Sequence, residues 1–475
     1  MSELLTLAID QGTHATRAAA YDGHGRMVAH ARRPVSLQRS GRTEAEQSPV
    51  EILGSLQAVM RELLAHPDVA AAGICSAGLA TQRSSVLAWE RDTGRALSPV
   101  LSWQDTRAAQ SLQRLEQHSS EIKQRTGLPL SAHYGAGKLQ WLLQNDATVA
   151  AAQESGQLVI GPLASYLLHH LLTGRTNTID HANAARTLLW NLHDRDWDDW
   201  LLGLFDIPRE VLPGCRPILA DYGVTRSGSV PVMAVNGDQT AALYAQGMPA
   251  PHTIRVNIGT GAFVLSPTGG DCRPHPKLLA GLSRSSDHTA DYFIEGTING
   301  AGAAVQWIAD KYNLPAWQTC LPEWLGAITD PPVFLNTIGD LGSPWWRAGP
   351  EPAFHDATTT PDAAHAMVAV IESIVFLIEA NIQLLRELDP GLDRIRVGGG
   401  LSQADGLCRK LASLSGLVVE RPAEAEATAR GIAWLAAGCP ADWDNPEAVD
   451  RFEPHTDAGL GERYTRFLEA LETGR

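Results

Sequence analysis

Asn236-Gly237-Asp238-Gln239-Thr240 lies near the midpoint of the chain, between two stretches of different character. Residues 230–235 (VPVMAV) form a short apolar run that is typical of a buried strand. Residues 241–245 (AALYA) favour a helix. Asp238 is therefore predicted at a strand end, where open α/β sheets bind their ligands. A carboxylate there can act as a general base; the alternative, that Asp238 is an ordinary helix N-cap, stays open.

The composition excludes several classes of protein. With 475 residues the chain is long enough for two or three domains, and a net charge of -15 argues against a broad nucleic-acid surface. Six scattered cysteines without a CxxC pair favour reduced thiols in the cytoplasm over disulfides or a zinc site. Met1 leads directly into a predicted strand, so no signal peptide is expected. The most apolar stretch, 367–385, contains two glutamates and is predicted as a buried helix, without membrane insertion.

The first residues predict a hairpin that could bind an anion. Residues 4–21 read as strand, tight turn and returning strand, and the turn is Asp10-Gln11-Gly12-Thr13. Gly12 leaves the backbone N–H groups accessible, Thr13 adds a hydroxyl and Arg17 a cation. Asp10 could hold hydrated Mg²⁺, which takes one or two carboxylates together with phosphate oxygens. A hairpin turn without any ligand is the alternative that this motif alone leaves open.

The pattern of the opening hairpin returns in the second half. Residues 253–266 again read as strand, turn and strand, with Gly259-Thr260-Gly261 as the turn. The second copy has no carboxylate at the place of Asp10, so one half would supply a metal ligand and the other only a phosphate loop. We interpret the two copies as a fold duplication with a boundary near Gly247, which gives domains 1–246 and 247–475.

Further elements complete the prediction. Ser48-Pro49-Val50-Glu51 predicts a capping box and a helix to about residue 66. Residues 71–79 predict a strand, and 111–202 a mostly helical segment. Gly398-Gly399-Gly400 follows a predicted strand and precedes a predicted helix, so a flat or phosphorylated group could approach the backbone there. The pattern is neither a Rossmann fingerprint nor a Walker A loop.

Four side chains of the first half suit the binding of a polyol when they are taken together. Arg83 and Asp105 could hydrogen-bond hydroxyl groups, and the rings of Trp103 and Tyr134 could cover the C–H side of the molecule. For each residue alone, a surface ion pair or a core aromatic is an equally simple interpretation.

Combined in chain order, these motifs resemble the FGGY carbohydrate kinases, which belong to the actin, hexokinase and heat-shock-chaperone ATPase superfamily. The resemblance covers nearly the whole chain, and within the family it is strongest to the glycerol kinases. The stretches that carry it are Asp10-Gln-Gly-Thr-His-Ala-Thr-Arg17, Thr81-Gln-Arg83, Ser102-Trp-Gln-Asp-Thr-Arg107, Lys138-Leu-Gln-Trp141, Asn183-Ala-Ala-Arg-Thr187, Gly237-Asp-Gln239, Gly259-Thr-Gly261, Glu295-Gly296, Gly302-Ala-Ala-Val-Gln-Trp307 and Gly398-Gly-Gly400.

The resemblance implies an α/β fold of two duplicated actin/hexokinase-like (ribonuclease H-like) ATPase domains with a cleft between them. It also implies ATP-dependent phosphorylation of a primary hydroxyl of glycerol or a closely related small polyol or sugar. Asp238 would be the catalytic base and Asp10 the Mg²⁺ ligand. The residues that would bind ATP are Thr13, Arg17, Gly259, Thr260, Gly399 and Gly400. Those that would bind the polyol are Arg83, Ser84, Trp103, Tyr134, Asp238, Gln239 and Phe263.

One departure from the family concerns the substrate. Glycerol kinases have Arg-Glu where this chain has Arg83-Ser84, so a carboxylate that accepts hydrogen bonds from substrate hydroxyls is missing. The change predicts a roomier pocket and a shift of substrate choice away from glycerol. The alternatives are a kinase of a ketopentose or of a four-carbon polyol or ketose and, in a different class, a catalytically silent regulatory protein that binds nucleotide. A small-molecule substrate, no nucleic acid and possible homo-oligomers complete the expectations.

Overall fold

The computed structural model describes residues 4–355, 359–423, 426–444 and 448–473. Its strands are β1 (Leu5–Gln11), β2 (Ala15–Tyr21), β3 (Met27–Pro34), β4 (Gln38–Ser40), β5 (Glu44–Gln47), β6 (Ile74–Thr81), β7 (Val86–Glu90), β8 (Val100–Leu101), β9 (Leu158–Pro162), β10 (Thr178–Asp180), β11 (Trp190–Asn191), β12 (Asp196–Trp197), β13 (Gly214–Arg216), β14 (Val232–Gly237), β15 (Thr253–Ile258), β16 (Ala262–Gly269), β17 (Leu279–Ser285), β18 (Ala290–Ile298), β19 (Val333–Leu335), β20 (Ala353–His355), β21 (Arg394–Gly398), β22 (Val418–Pro422) and β23 (Ala448–Phe452).

The α-helices are α1 (Pro49–Leu64), α2 (Pro67–Ala72), α3 (Ala109–Leu112), α4 (Ser119–Thr126), α5 (Gly135–Asn145), α6 (Ala147–Glu154), α7 (Leu163–Leu171), α8 (His181–Ala184), α9 (Asp199–Phe205), α10 (Asp238–Ala242), α11 (Gly302–Lys311), α12 (Trp317–Ala327), α13 (Ala363–Leu388), α14 (Asp405–Ser415), α15 (Ala427–Ala436) and α16 (Ala458–Thr473). Short 3₁₀ helices occur at Gln113–His118, Arg209–Val211 and Gly400–Gln403.

The first sheet has the strand order β14-β6-β1-β2-β3. Strands β14, β6 and β1 run parallel, and the hairpin of β1, β2 and β3 extends the sheet with antiparallel strands. The register pairs Asp10 with Ala80 and Gly237 with Thr81, so β1 and β14 flank the end of β6. The carboxyl ends of three parallel strands therefore lie at one edge, which is where such sheets bind ligands.

The second sheet repeats this arrangement. Its order is β17-β18-β16-β15-β21-β22-β23. The hairpin β15–β16 corresponds to β1–β2, and β21 and β22 extend in parallel from β15 as β6 and β14 extend from β1. Each sheet has its own cluster of buried apolar residues. This repetition agrees with the fold duplication expected from the sequence.

The helix α1 begins as the sequence indicates, but one half of its capping box is used differently. The Ser48 side chain accepts a hydrogen bond from the backbone N–H of Glu51 (3.3 Å), and Pro49 occupies the first turn. The Glu51 carboxylate accepts instead from the backbone N–H and hydroxyl of Ser36, both at 2.9 Å. The second hydrogen bond of a capping box, from the Ser48 backbone N–H to Glu51, is thus replaced by hydrogen bonds that connect α1 to the chain after β3.

The prediction of a mostly helical segment over 111–202 is partly wrong. Helices α4, α5, α6 and α7 are present, but β9 lies among them and pairs with β7 over five residue pairs from Val86–Pro162 to Glu90–Leu158. The strand is fully buried, and its run Leu-Val-Ile-Gly-Pro carries no period that distinguishes it from a buried helix. It belongs to an additional sheet of order β4-β5-β8-β7-β9, inserted into the first half.

Helix α15 crosses back to the first half. Its residues Ile432 and Trp434 belong to the apolar core of the first sheet. A Cβ at Gly78 in β6 would lie 2.6 Å from the carbonyl oxygen of Ile432, so the glycine permits this close packing. The boundary near Gly247 remains a prediction, and α15 lies on the first sheet although that boundary assigns it to the second half.

The long apolar helix α13 is a core helix. It is the one helix in the described part of the chain with the length and composition to cross a membrane, and 89% of its most apolar window is buried within the fold. Its Glu372 carboxylate is paired with Lys410 (2.7 Å) and Arg463 (2.7 Å). Buried acids are tolerated when they are paired in this way, so the sequence prediction of a buried helix is confirmed.

Candidate active site

Asp238 begins helix α10 at the end of β14, and its carboxylate does not cap the helix. The N-cap is Gly237. Asp238 Oδ1 accepts a hydrogen bond from Gln239 N (2.7 Å) and lies 3.9 Å from Arg83 Nε. Burial raises the pKa of the Asp238 carboxyl above its ordinary value, while Arg83 acts in the opposite direction. The Asp238 side chain keeps 24% of its surface exposed, so a ligand can reach it. A carboxylate with a raised pKa is a stronger base than one with the ordinary aspartate pKa.

Asp10 lies in β1, one strand beyond β6, and carries an unpaired oxygen. Its Oδ2 is 3.2 Å from Arg17 Nη1, whereas its buried Oδ1 has no hydrogen-bond partner in the described residues. The pKa of Asp10 is raised to about 7, mainly by burial; Arg17 acts in the opposite direction, and the neighbouring carboxylates Asp238 and Glu426 contribute to the rise. An unpaired buried carboxylate oxygen beside a second carboxylate suits a divalent cation.

The described residues contain no group of three or more His, Cys, Asp or Glu side chains that could hold a metal ion by themselves. Magnesium commonly binds through one or two carboxylates and completes its shell with water and phosphate oxygens. The Asp10 environment therefore fits Mg²⁺ that arrives with a nucleotide better than a permanently bound metal.

Thr13 lies between the predicted phosphate side and the predicted polyol side of the site. Its hydroxyl donates to Gln82 Oε1 (3.1 Å) and accepts from the indole Nε1 of Trp103 (3.0 Å). Both bonds tie the β1–β2 turn to the segments that follow β6 and β8. The hydroxyl is already engaged on both sides, so its assignment to phosphate binding remains a prediction.

Arg83 belongs to a buried charge cluster that the sequence did not indicate. Glu295 in β18 is fully buried and is shared by two arginines, with Arg83 Nη2 3.0 Å from Oε2 and Arg186 Nη2 2.9 Å from Oε1. Burial alone raises the pKa of Glu295, but Arg186 and Arg83 together hold it below its ordinary value. Arg83 Nη1 and two nitrogens of Arg186 are buried without a hydrogen-bond partner among the described residues, so donors remain available.

The aromatic residues predicted to line the polyol site lie on the two arginines. The guanidinium carbon of Arg186 is 5.6 Å from the centre of the Tyr134 ring, and that of Arg83 is 5.8 Å from the Phe263 ring. Such contacts fix a guanidinium over a flat apolar surface. Trp103 is joined to the same region through His133, whose ring centre is 5.5 Å from the indole.

Asp105 does not fit the role of hydroxyl recognition. Its side chain is fully buried, and both oxygens accept from Arg107, at 3.0 Å from Nε. Oδ2 also accepts from Ala45 N (2.8 Å). With its acceptor capacity used in this way, Asp105 holds the chain after β8 in place instead of binding a ligand.

Several contacts join the two halves around Asp238. Arg83 reaches Glu295 across the interface, as described above. The Gln239 side-chain carbonyl accepts from Asn257 Nδ2 in β15 (2.9 Å). The Thr428 hydroxyl at the start of α15 donates to the backbone carbonyl of Asp238 (3.3 Å). Asp238 therefore lies where the two halves meet, as the sequence predicts for a catalytic cleft.

A cavity of about 830 Å³ opens in the second half at the ends of β15 and β21. Its lining includes the predicted nucleotide residues Gly259, Thr260 and Gly400 together with Trp307. The carbonyl of Gly259 accepts from Gly302 N (2.9 Å), so the glycine turn is tied to the first residue of α11. A cavity of this volume holds a drug-sized ligand, and the lining combines glycine backbone with an indole ring.

Gly399 and Gly400 have different reasons to be glycine. The backbone of Gly399 has φ 87°, and a Cβ there would lie 2.6 Å from the carbonyl oxygen of Ile258. Any side chain at position 399 would therefore collide with β15. At Gly400 a Cβ would meet nothing within 4 Å, and this residue lines the cavity. The assignment of both glycines to ATP binding remains a prediction: a side chain at Gly399 would meet β15, whereas Gly400 lines the cavity.

Gly400→Phe should fill part of this cavity and weaken ATP binding. We expect the KM for ATP to rise about tenfold or more, a loss of ~1.4 kcal/mol or more, with little change in the KM of the acceptor. Gly203→Phe is a suitable control, because a Cβ at Gly203 in α9 also meets nothing within 4 Å. An unchanged KM for ATP in Gly400→Phe, or a rise only in the KM of the acceptor, would contradict the assignment of this cavity to the nucleotide.

The two halves match two family models in order. Residues 5–245 match the N-terminal domain of the FGGY family of carbohydrate kinases, and residues 255–438 match its C-terminal domain. The chain belongs to the FGGY family of carbohydrate kinases. As such it is an enzyme of the kinase class with the two-domain fold of that family, which the sequence resemblance predicted correctly.

Relatives within the FGGY family cover the chain almost completely. A glycerol kinase from Natranaerobius thermophilus is 31% identical over 98% of this chain and 97% of its own length. A glycerol kinase from Alcanivorax borkumensis is 33% identical over 90% of this chain and 88% of its own. Among solved structures, the glycerol kinase of Plasmodium falciparum with ADP superposes with a TM-score of 0.90 at 23% identity, covering 99% and 98% of the two chains. A xylulose kinase from Rhodospirillum rubrum superposes with a TM-score of 0.86 at 19% identity, again covering 99% and 98% of the two chains. At these identities the two structures support the fold only.

The site residues that sequence reasoning missed are Arg186 and Glu295. Both lie in stretches that carry the FGGY resemblance, but neither received a role. The available signal was a glutamate directly after the apolar run Tyr292-Phe293-Ile294, because a charged residue in a buried strand requires a partner. Its partners Arg83 and Arg186 lie far away in the sequence, so their identity depends on the fold.

Proposed function

We propose that this FGGY kinase transfers the γ-phosphate of ATP to a primary hydroxyl of glycerol or of a closely related small polyol. The observation that carries the proposal is the position of the Asp238 carboxylate. It lies where the two halves meet and interacts with the charge of Asp10, and the nucleotide-sized cavity is in the second half. The curated relatives named above are glycerol kinases at up to 33% identity, which favours glycerol over the ketose alternatives. Phosphoryl transfer requires positioning and charge neutralisation more than covalent help, and this arrangement offers both.

In the proposed mechanism, Asp238 accepts the proton of the attacking hydroxyl. Arg83 and Arg186 donate hydrogen bonds to the other oxygens of the polyol, and the rings of Trp103, Tyr134 and Phe263 cover its C–H side. Glu295 holds the two guanidinium groups in place. Asp10 would hold Mg²⁺, which neutralises charge on the phosphate oxygens when it is bound. Contact between the two halves excludes water from the site and so limits ATP hydrolysis without an acceptor.

The division of labour follows the two halves. We propose that residues 1–246 bind the polyol and supply the base, and that residues 247–475 bind the nucleotide through Thr260, Gly259 and Gly400. Thr13 and Arg17 would contact phosphate oxygens from the first half. We further propose that the protein works in the cytoplasm, as its unpaired cysteines favour, and that it can form homo-oligomers.

The test of this function is ADP formation with a panel of acceptors. We expect ADP to form with glycerol or a related polyol and only slowly without an acceptor. Four- and five-carbon polyols and ketoses distinguish the alternative substrates. Nucleotide binding without ADP formation from any member of the panel would instead favour a catalytically silent regulatory protein.

Ser84→Glu should raise kcat/KM for glycerol. Ser84 has a left-handed backbone with φ 64° and is buried, and its hydroxyl makes only a long bond of 3.5 Å to the carbonyl of Arg186. A carboxylate could accept hydroxyl protons from glycerol, and a hydrogen bond to a charged group contributes about 1.5–3 kcal/mol, which is about 10- to 100-fold. The same change should disfavour larger acceptors, because it fills the space that they need.

Ser84→Gln is the matched control for this prediction, since it adds nearly the same volume without the charge. The measurement is kcat/KM for glycerol and for four- and five-carbon polyols and ketoses in all three proteins. If the wild type already prefers glycerol and neither variant changes that preference, Ser84 is a neutral replacement and does not determine specificity.

A further inference from the structure

Lys138 is a fully buried lysine in α5 that binds three backbone carbonyl groups at once. Its Nζ donates to Ser84 O (2.7 Å), Ser102 O (3.0 Å) and His133 O (2.8 Å). An ammonium group has three N–H donors, so these three bonds use all of them. The side chain does not approach Asp238 or the nucleotide cavity in any hydrogen bond of the described residues.

Each of the three carbonyl groups belongs to, or directly precedes, a residue predicted to line the polyol site. Ser84 is itself such a residue and follows Arg83. Ser102 precedes Trp103, and His133 precedes Tyr134. The three segments lie in different parts of the fold: the chain after β6, the chain after β8 and the turn before α5. One ammonium group therefore joins the backbones that carry Arg83, Trp103 and Tyr134.

The backbone at Ser84 requires such support. A non-glycine residue at φ 64° occupies the left-handed region, which is strained and persists only where the surroundings enforce it. Lys138 Nζ makes the shortest of its three bonds to the carbonyl of this residue. The conformation of Ser84 sets the direction in which the chain continues from Arg83 to β7.

Lys138 also influences the aromatic side of the pocket. Burial, and then the charges of Lys138 and Arg186, hold the pKa of His133 well below its ordinary value, so the imidazole is neutral. The neutral ring contacts Trp103 on one side and Tyr134 on the other, with ring centres 5.5 and 5.1 Å apart. A charged imidazole would draw water and a counter-ion into this packing.

Burying the charge of Lys138 costs desolvation free energy, which an apolar side chain of similar size at this position would avoid. The pKa of Lys138 is lowered to about 7, mainly by burial; Asp105 opposes this shift and Arg107 adds to it. Asp105 is itself engaged with Arg107, so the ammonium group is held mainly by backbone carbonyl dipoles. A methionine would fill a similar volume without desolvating a charge, so what the lysine adds is the three directed hydrogen bonds.

We propose that Lys138 is a positioning residue for the acceptor substrate: it fixes the segments of Arg83 and Ser84, Trp103 and Tyr134 relative to one another without touching the substrate. This inference rests on the proposed function, since it concerns the polyol site of the same enzyme. It predicts that loss of the ammonium group loosens the acceptor site and leaves the nucleotide site unchanged.

The experiment compares Lys138→Met and Lys138→Gln with the wild type. Lys138→Met removes one hydrogen bond from each of three buried carbonyl groups, of which Ser102 O keeps its bond from Asp105 N (2.9 Å). Lys138→Gln supplies two donors in place of three. We expect kcat/KM for the acceptor to fall about 10- to 100-fold in Lys138→Met, since a displacement of about 1 Å costs about that much, mainly through the KM of the acceptor. The kcat/KM of Lys138→Gln for the acceptor should lie between those of Lys138→Met and the wild type. The KM for ATP should stay within about twofold of the wild-type value in both variants.

Lys410→Met is the matched control, because Lys410 is also a largely buried lysine but is paired with Glu372 in the second half. It should lower the melting temperature without changing either KM. Unchanged acceptor KM in Lys138→Met, or loss of ATP binding in both Lys138 variants, would overturn the proposal; the second result would assign Lys138 to general stability. A wild type that phosphorylates no polyol would refute the proposed function itself. If the wild type is active and the Lys138 variants have the same acceptor KM as the wild type, only the role of Lys138 is refuted.

Discussion

Asp238→Asn is expected to reduce turnover by about 10²–10⁴-fold, the usual contribution of a general base. The amide has the size of the carboxylate and can still accept the hydrogen bond from Gln239 N, so the start of α10 should be preserved. It cannot take a proton from the attacking hydroxyl. In the proposed division of roles ATP binds at the cavity in the second half, so its binding should remain close to that of the wild type.

The comparison that makes this result specific is Asp291→Asn. The Asp291 side chain is about as exposed as that of Asp238, 20% against 24%, and it is also near an arginine, Arg284 at 2.6 Å. It lies at the start of β18, away from the strand ends that form the site. We expect Asp291→Asn to keep its turnover. Near wild-type turnover in Asp238→Asn, measured as ADP formation with saturating ATP and acceptor, would remove Asp238 from the role of base.

The rate should also depend on the protonation of Asp238. Burial raises the pKa of this carboxyl, so it takes up its proton at a higher pH than an ordinary aspartate does. Only the ionised form can accept the proton of the hydroxyl. The rate of the wild type should therefore fall with decreasing pH, beginning at a higher pH than for a base with the ordinary aspartate pKa.

Asp10→Ala is expected to raise the Mg²⁺ concentration required for half-maximal turnover and to lower the maximal rate. The physical reason is the unpaired, buried Oδ1 beside a second carboxylate, which is the most suitable oxygen for a cation in this part of the site. Loss of one carboxylate ligand should weaken the metal site about 10- to 100-fold, in the range found when groups that support a metal site are removed. Binding of the polyol without nucleotide should change little.

Asp22→Ala controls for the loss of a carboxylate on the same hairpin. Asp22 follows β2 and accepts from the backbone N–H groups of His24 and Arg26 at 2.9 Å, so its role is to form a turn. A titration of turnover against Mg²⁺ in the three proteins separates the two roles. An Asp10→Ala variant with the Mg²⁺ dependence of the wild type would exclude Asp10 from metal binding.

The local elements of this fold are largely predictable from sequence because local signals specify them. The hairpin around Asp10, the start of α1 at Ser48 and the strand before Asp238 all have their own turn or capping residues. The duplicated hairpin at residues 253–266 indicated two similar halves. Strand β9 was missed because a short apolar run without a period fits a buried strand and a buried helix equally well.

The contacts that depend on chain topology were not predictable in this way. Nothing within residues 427–436 indicates that α15 packs on the first sheet, since an apolar helix face fits either core. The pairing of Glu295 with Arg83 and Arg186 is of the same kind, because it joins charges from both halves. The candidate site residues were proposed from their order along the chain. The buried ion pairs and the Lys138 hydrogen bonds around them emerge only from the packing.

The most direct test of the account is the product of a reaction with ATP and glycerol, followed by ³¹P NMR in the wild type and in Asp238→Asn. The account predicts that a phosphate monoester on a primary hydroxyl of glycerol forms in step with ADP in the wild type, and that this signal is nearly absent in Asp238→Asn. Inorganic phosphate as the main product, or equal monoester formation by both proteins, would contradict it.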